Sequence, residues 1–229
     1  MSSKNFNACV LINNSILIDT PPGICKKLLQ GNINIKNIHT IIITHQHVDH
    51  YFDLPILIHE LSLYADCNIN IIANKDIIKI FPKLMHMAFP DVNKEILKSI
   101  KIHFITLKNY SKHDIGDFSI SAIPMKHGHL KNCFGVILKN DSQSIGYSGD
   151  ASYSEEMKYL CENSNHIILD STNINGNENH MGIDNICTLC EKYNNKIIYA
   201  NHMSEAVRTH EFKECSNLIV PNDDDIFEI

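Results

Sequence analysis

The sequence predicts a protein of the α/β (α+β) class in which two mixed β-sheets pack face to face and helices cover their outer sides. Strand-like runs of apolar, β-branched residues dominate both halves of the chain, and helical patterns follow residue 50 and recur near the C-terminus. The chain has 229 residues, of which 44% are hydrophobic and 20% charged, which is enough to bury one large core. We therefore expect a single domain over residues 1–229.

The first hundred residues predict a hairpin followed by alternating helices and strands. Asn13 and Asn14 separate two apolar runs, and Asn tolerates the positive φ of a tight turn. Residues 81–99, rich in Met and Phe, are predicted to be irregular, and core packing, a lid and a dimer surface are all open for them. The other elements expected are a helix at 24–30, a strand at 38–44, a helix at 50–64 interrupted by Pro55, a strand at 68–73 and a short helix at 76–81.

The second half predicts more strands than helices. Cys187 and Cys190 lie on one predicted helix, and we interpret both as core residues, since no second such pair accompanies them. The polar N-terminus, the scattered cysteines and the lack of a long apolar run predict a soluble protein of the reducing cytoplasm, away from membranes. The strands are expected at 101–107, 118–125, 133–139, 144–148, 166–170 and 196–200, and the helices at 154–161 and 183–193.

The charge balance opposes an extended nucleic-acid partner. The formal net charge is −6, and of the 20 basic residues only Arg208 is an arginine. A surface that follows a long polyanion needs a basic track, and bidentate phosphate binding needs guanidinium groups. Arg208 is predicted to be a solvated helix residue, although a phosphate contact stays open for it. The role of His129 also stays open.

Four residues of metal-binding types occur within six positions after the strand at 38–44. His45, His47, Asp49 and His50 form the pattern H-x-H-x-D-H in a turn, where successive side chains can converge. Neutral imidazoles and carboxylates are ligands for zinc and its first-row neighbours. An isolated histidine in a loop is usually structural, but this density predicts a metal site.

Three later residues end predicted strands in the same way. His127, Asp150 and His202 each follow an apolar run, which places them at the rim of a sheet. Together with the earlier cluster they supply five His and two Asp, enough for two divalent metals with one shared carboxylate. Zinc is the expected metal, with manganese as the alternative.

These motifs, in this order, resemble the metallo-β-lactamase superfamily over almost the whole chain. The resemblance implies an αββα sandwich, a metal-bridging hydroxide as nucleophile, and a supporting role for Asp19 beside the ligand loop. It also implies the following ligand set: His45, His47 and His127 for the first metal, Asp49, His50 and His202 for the second, and Asp150 bridging both.

The segment from Asp170 to His180 is similar to the tRNase Z-like phosphodiesterases of this superfamily. By that resemblance His180 is the general acid for the leaving oxygen and Asp170 orients it. The long arm that tRNase Z uses to hold tRNA has no room between His127 and Asp150. This favours a small phosphodiester substrate, a cyclic nucleotide or cyclic phosphate, and the resemblance suggests a homodimer.

Three alternatives stay open at this stage. An RNA 3′-processing endonuclease of the tRNase Z type would use the same catalytic residues. A thioesterase of the glyoxalase II kind would share the metal ligands, but would give His180 and Asp170 no evident task. A metal-binding regulatory protein without activity is the non-enzyme alternative, which the complete ligand set disfavours.

Overall fold

The computed structural model describes residues 5–210 and 215–229. Residues 1–4, part of the polar N-terminal stretch considered above, lie outside this range. The chain separates into two compact units, one of Asn7–Leu107 and one of Lys108–Ile229 together with the start of the chain. Each unit contains one mixed sheet flanked in sequence by helices, as the predicted α/β class requires. The single-domain organisation stays a prediction.

The first unit contains a five-stranded sheet in the order β1-β2-β3-β4-β5. Its first pair is antiparallel and the remaining neighbours are parallel. Its elements are β1 (Val10–Ile12), β2 (Ile16–Ile18), α1 (Ile24–Gln30), a 3₁₀ turn (Ile35–Asn37), β3 (Thr40–Ile43), α2 (Val48–Tyr51), α3 (Leu54–Ser62), β4 (Asn68–Ala73), α4 (Lys75–Ala88), α5 (Asn93–Ser99) and β5 (Lys101–Thr106).

Local chemistry explains where these elements begin and end. Asn13 and Asn14 have φ of 48° and 52°, so the predicted hairpin turn is confirmed. The predicted helix at 50–64 is two helices, because Pro55 lies in the first turn of α3 and cannot continue a helix from α2. Strand β3 is buried along its whole length and leads directly into the histidine cluster.

The prediction of an irregular segment at 81–99 is wrong. Helix α4 continues through Pro82, which lies on its exposed side, and α5 follows after a short turn. Ile77, Phe81 and Met85 recur every four residues and are buried, which offsets the roughly 3 kcal/mol that an internal proline costs. The helix ends before Pro90, as the restriction on residues preceding proline requires.

The second unit contains a seven-stranded sheet in the order β12-β11-β10-β9-β8-β7-β6. Strands β9 to β12 run parallel to one another, and β6 to β9 form antiparallel pairs. The elements are β6 (Lys112–Ile115), β7 (Phe118–Pro124), β8 (Phe134–Lys139), β9 (Ser144–Tyr147), α6 (Glu155–Glu162), β10 (His166–Asp170), α7 (Ile183–Lys192), β11 (Ile197–Asn201), α8 (Glu205–Arg208) and β12 (Leu218–Ile219).

The edge strands β6 and β12 were not expected from the sequence. Strand β6 has a polar, half-exposed sequence, and β12 has only two residues, so neither carries the alternation that marks a buried strand. The core of this unit forms where α6 and α7 pack on the sheet through buried residues such as Leu160, Leu169 and Leu189. Cys190 belongs to this core as predicted, whereas Cys187 is half-buried at the edge of a smaller cluster.

Helix length also bears on membrane association. Among the described residues, every helix is too short or too polar to span a lipid bilayer.

Candidate metal centre

The histidine cluster of the first unit lies in the turn between β3 and α2. The side chains of His45 and His50 are buried, Asp49 is half-buried, and His47 is exposed. The Nε2 atom of His45 lies 3.1 Å from Nδ1 of His47, and the rings of His45 and His50 are 4.2 Å apart between centroids. The turn therefore brings the imidazoles together, as the spacing predicted.

Asp19 fixes this turn from the neighbouring strand. It is fully buried just after β2, with a φ of 63°, and one carboxylate oxygen accepts the backbone N–H of Thr44 at 2.9 Å. The other oxygen lies 2.8 Å from Nδ1 of His50. A carboxylate can only accept here, so Nδ1 of His50 carries the hydrogen and Nε2 keeps the lone pair that a metal needs. The supporting role expected for Asp19 has this geometry.

The other side of the turn is held by Asn74. Its amide donates to Oε1 of Gln46 over 3.0 Å, and its Oδ1 accepts the N–H groups of Asp76 and Ile77 at the start of α4. Asn74 is completely buried. One side chain therefore caps a helix and positions the residue between His45 and His47.

In the second unit the predicted residues lie at the carboxyl ends of neighbouring parallel strands. Asp150 follows β9, Asp170 ends β10, and His202 follows β11. Asp170 is paired in register with Asn201, so these strands end at the same level. Carboxyl ends of parallel strands meet at one edge of a sheet, which is where α/β proteins commonly place their sites.

Asp150 lies among the histidines of this edge. Its carboxylate oxygens are 3.9 Å from Nε2 of His127, 3.6 Å from Nε2 of His202 and 4.0 Å from Nδ1 of His180. Ligand atoms of Asp150, Asp170, His180 and His202 all lie within 4.8 Å of one another, close enough to hold a metal ion. This donor set of imidazoles and carboxylates fits zinc or a similar divalent metal.

His180 and Asp170 form the predicted pair. Nδ1 of His180 donates to Oδ2 of Asp170 over 2.7 Å, and the carboxylate is fully buried while the ring is about one-fifth exposed. Oδ2 of Asp170 also accepts the N–H of Ala151 at 2.9 Å. The ring of His180 is thus held through Nδ1, which leaves Nε2 available to give or take a proton.

The loop that carries His180 is attached to the turn that carries His127. The backbone carbonyl of Asn179 accepts Nδ1–H of His127 at 2.6 Å, and the carbonyl of Glu178 accepts the N–H of Gly128 at 2.9 Å. His127 Nδ1 is therefore protonated, and its Nε2, on the side of Asp150, keeps a lone pair. The ring centroids of His127 and His180 are 4.8 Å apart.

Two further side chains lie near these strands. Thr172 was not assigned a role from the sequence, and Arg208 was expected to be a solvated helix residue. Thr172 places its hydroxyl between Asp170 and His202 and was missed, because a threonine two residues after a strand-end carboxylate has no distinctive pattern. Arg208 ends helix α8, is half-buried and donates to the carbonyl of Pro221 at 3.3 Å, so its interpretation as a solvated helix residue stays a prediction.

A buried thiol also lies near this edge. Burial, followed by the negative charge of Asp150, raises the pKa of Cys133 to about 12. Cys133 is 4% exposed, so it is a neutral core residue at physiological pH.

Comparison with known proteins places this arrangement in a family. The family model described as the beta-lactamase superfamily domain matches residues 14–203, most of the chain, and the protein therefore belongs to the metallo-β-lactamase superfamily, as predicted.

Individual relatives are consistent with the tRNase Z-like branch of that superfamily. A diphosphatase of the PhnP family has a TM-score of 0.68 and 21% identity, over 94% of this chain and 80% of that one. The short form of human tRNase Z has a TM-score of 0.76 and 16% identity, over 100% and 96% of the two chains. At these identities the similarity shows the fold. Ribonuclease Z of Metallosphaera sedula is 40% identical over 50 residues, which are 22% of this chain but only 17% of that protein.

Proposed function

We propose that this protein is a dinuclear-metal phosphodiesterase that hydrolyses a small phosphodiester, a cyclic nucleotide or cyclic phosphate. Members of its superfamily are generally hydrolases that bind divalent metals, and two of the proposed ligands, Asp150 and His202, lie in a cluster of residues close enough to hold a metal ion. The observation that carries the proposal is the 2.7 Å pair of His180 and Asp170 beside Asp150. That pair gives a phosphodiesterase the proton donor it needs.

The proposed metals are two zinc ions, with manganese as the alternative. When bound, two such cations polarise phosphoryl oxygens and make water acidic enough to act as a nucleophile near neutral pH. The ligand assignment follows the family resemblance and is part of the proposal. It comprises His45, His47 and His127, then Asp49, His50 and His202, and Asp150 as the shared ligand.

The proposed task of His180 is protonation of the leaving oxygen. An alkoxide leaving group is a strong base, so cleavage of its bond to phosphorus is faster when a proton is delivered at the same time. Asp170 orients the ring through Nδ1, which leaves Nε2 as the atom that gives the proton. Two backbone contacts of the adjoining loop with His127 and Gly128 hold the ring in place.

The short connection between His127 and Asp150 supports a small substrate. Strands β8 and β9 and their turn occupy most of the 128–149 segment, which leaves too few residues for a long protruding arm. The single arginine, Arg208, donates one hydrogen bond to the carbonyl of Pro221. A cyclic nucleotide needs recognition of one phosphate, whereas a long RNA requires many phosphate contacts.

A tRNase Z-like endonuclease is the second candidate, because the ribonuclease Z segment is 40% identical over its 50 residues. The thioesterase alternative is less well supported. A thiolate is a weak base and leaves without a proton, so the His180–Asp170 pair would have no task in that reaction.

The test compares leaving groups in His180→Ala. On a 2′,3′-cyclic nucleotide, whose leaving oxygen is strongly basic, we expect kcat to fall by about 10²–10⁴-fold. On bis-p-nitrophenyl phosphate, whose leaving group needs no proton, the loss should be much smaller. Zinc content, measured by mass spectrometry of the dialysed protein, should stay that of the wild type.

The matched control is His113→Ala, which removes another imidazole of the same unit. Among the described residues, the hydrogen-bond partner of this ring is the hydroxyl of Ser111. It should leave both activities unchanged. Equal losses on the two substrates in His180→Ala, or loss of zinc, would contradict the general-acid role. Cleavage of precursor tRNA in preference to cyclic nucleotides would favour the endonuclease.

A further inference from the structure

The hydroxyl of Thr172 is the centre of a hydrogen-bond network between the acid pair and a proposed metal ligand. Its Oγ1 lies 2.5 Å from Oδ1 of Asp170, 2.7 Å from Nδ1 of His202 and 3.2 Å from Nδ1 of His180. It also lies 3.0 Å from the carbonyl oxygen of His202. Four polar groups thus surround one hydroxyl that has a single hydrogen.

The distances decide where that hydrogen lies. A separation of 2.5 Å between a hydroxyl and a carboxylate is typical of a charge-assisted O–H···O⁻ bond, so Thr172 donates to Asp170. The alternative, donation to the carbonyl of His202, would leave two oxygen acceptors of Thr172 and Asp170 in contact without a hydrogen between them. The lone pairs of Oγ1 are then available to accept.

Donation to Asp170 determines the tautomer of His202. Because the hydrogen of Oγ1 points at the carboxylate, the 2.7 Å contact with His202 exists only if Nδ1 of that ring carries a hydrogen. Nε2 of His202, which lies 3.6 Å from Oδ1 of Asp150, therefore keeps its lone pair. A neutral imidazole with a lone pair at Nε2 is the form that ligates a metal.

The backbone holds Thr172 in this position. The N–H of Thr172 donates to the same Oδ1 of Asp170 at 3.0 Å, so the residue is fixed by a turn that does not depend on its hydroxyl. His202 has a φ of 53°, an uncommon conformation for a residue other than glycine, which the surrounding contacts must maintain. The hydroxyl of Thr172 meets both the ring and the carbonyl of this strained residue.

We propose that Thr172 is a positioning residue that sets the metal-binding tautomer of His202 and couples it to the His180–Asp170 pair. The part that concerns His180 rests on the proposed function, whereas the part that concerns His202 requires only that this ring binds a metal. Through one hydroxyl, the carboxylate that orients the proton donor also orients a ligand.

The test uses Thr172→Val, which keeps the branched shape and removes the hydroxyl, and Thr172→Ser, which keeps the hydroxyl. In the metal-free wild type, ¹⁵N-detected ring correlations at about pH 8, where imidazole is neutral, should show His202 protonated at Nδ1. Thr172→Val should give a mixture of tautomers. Its affinity for one of two zinc ions, titrated against a competing chelator, should fall by about 10–100-fold.

Thr172→Ser should restore both the tautomer and the zinc affinity. The matched control is Thr188→Val, because the hydroxyl of Thr188 donates to a backbone carbonyl in helix α7 and contacts no histidine among its described partners. It should bind zinc as the wild type does.

Two results would overturn the proposal. One is a neutral His202 ring in the wild type that carries its hydrogen at Nε2. This measurement needs no variant, so it remains decisive even if Thr172→Val fails to fold. The other is a folded Thr172→Val with wild-type zinc affinity. Neither measurement uses a substrate, so an absence of phosphodiesterase activity would refute the proposed function and leave the part of this inference that concerns His202 intact.

Discussion

Nδ1 of His50 donates to the carboxylate of Asp19 over 2.8 Å, although the two residues are 31 positions apart in sequence. Both side chains are fully buried. The same carboxylate accepts the N–H and the hydroxyl of Thr44, so one acidic group determines both the path of the turn and the orientation of a ring within it.

The first prediction concerns that acidic group. Asp19→Asn keeps the size of the side chain and tolerates the φ of 63°, but it removes the charge and one acceptor. We expect the free energy of unfolding to fall by about 2 kcal/mol and zinc affinity to fall by about 10–100-fold. Urea unfolding and chelator competition measure the two effects.

Asp53→Asn is the control for this substitution. Asp53 is another buried carboxylate of the same unit, and it accepts the N–H of Cys25 at 2.8 Å. It should lower stability without changing zinc affinity. If the two variants bound zinc equally well, the link from Asp19 to the metal would be wrong.

The second prediction concerns Gly128, which has a φ of 53°. A Cβ atom there would collide with Oδ1 of Asn179, so Gly128→Ala must displace the side chain of this residue, whose backbone carbonyl accepts Nδ1–H of His127. We expect a loss of the proposed phosphodiesterase activity and destabilisation of about 1–2 kcal/mol. Steady-state kinetics and thermal unfolding measure the two effects.

Gly116→Ala separates backbone strain from the collision. Gly116 has a nearly equal φ of 55°, but none of the described atoms lies within 4 Å of the position that a Cβ would take there. It should be destabilised by a similar amount and retain full activity. Equal activity of the two variants would show that the contact with Asn179 is unimportant.

The third prediction concerns Asn74. Asn74→Ala removes the cap of α4 and the bond to Gln46, and should destabilise the protein by about 1–2 kcal/mol. Asn74→Asp should recover most of this loss, since a carboxylate caps well and interacts favourably with a helix N-terminus. Chemical denaturation of the three proteins tests this, and an aspartate variant as unstable as the alanine variant would argue against capping.

The fourth prediction is a pH dependence of stability. Burial raises the pKa of the Cys161 thiol from its ordinary value of 9.0 to about 12. The unfolded chain therefore loses this proton first, so the stabilisation is complete below pH 9.0 and is lost as pH rises towards 12.

Cys161→Ala isolates this contribution. Its free energy of unfolding should decline less steeply in alkaline solution, by up to about 1.4 kcal/mol per pH unit relative to the wild type. The alanine variant is less stable at neutral pH because a cavity replaces the sulfur. Urea unfolding at several pH values gives both slopes, and parallel slopes would mean that the thiol titrates normally in the folded protein.

Much of the architecture was predictable because it depends on local patterns. Helix α1 and strands β4 and β10 have the bounds expected from the sequence, since caps, apolar runs and turn residues agree there. Helix α4 was mispredicted because Pro82 argues against a helix at the level of sequence. The buried apolar residues of the helix stabilise it only through tertiary packing, which the sequence does not show. The edge strand β6 depends on pairing with β7 and not on its own composition.

The site was predictable to the extent that its residues are unusual for their positions. Histidines and aspartates at strand ends are recognisable in the sequence as possible metal ligands. The pairing of His180 with Asp170 followed from the resemblance to the tRNase Z-like phosphodiesterases. The partners that orient them are common groups: the hydroxyl of Thr172 and the backbone carbonyl of Asn179. The carbonyl of Asn179 is 52 positions from His127, and only the folded chain reveals such contacts.

That carbonyl has a consequence for how this protein tolerates mutation. Every amino acid has a main-chain carbonyl, so no single substitution at position 179 can delete the acceptor that orients His127. The side chain at this position can therefore vary, within the space beside Gly128, while the imidazole keeps its tautomer. Deletions and insertions that shift residues 173–181 would move this carbonyl. The loop should therefore accept substitutions far more readily than changes of length.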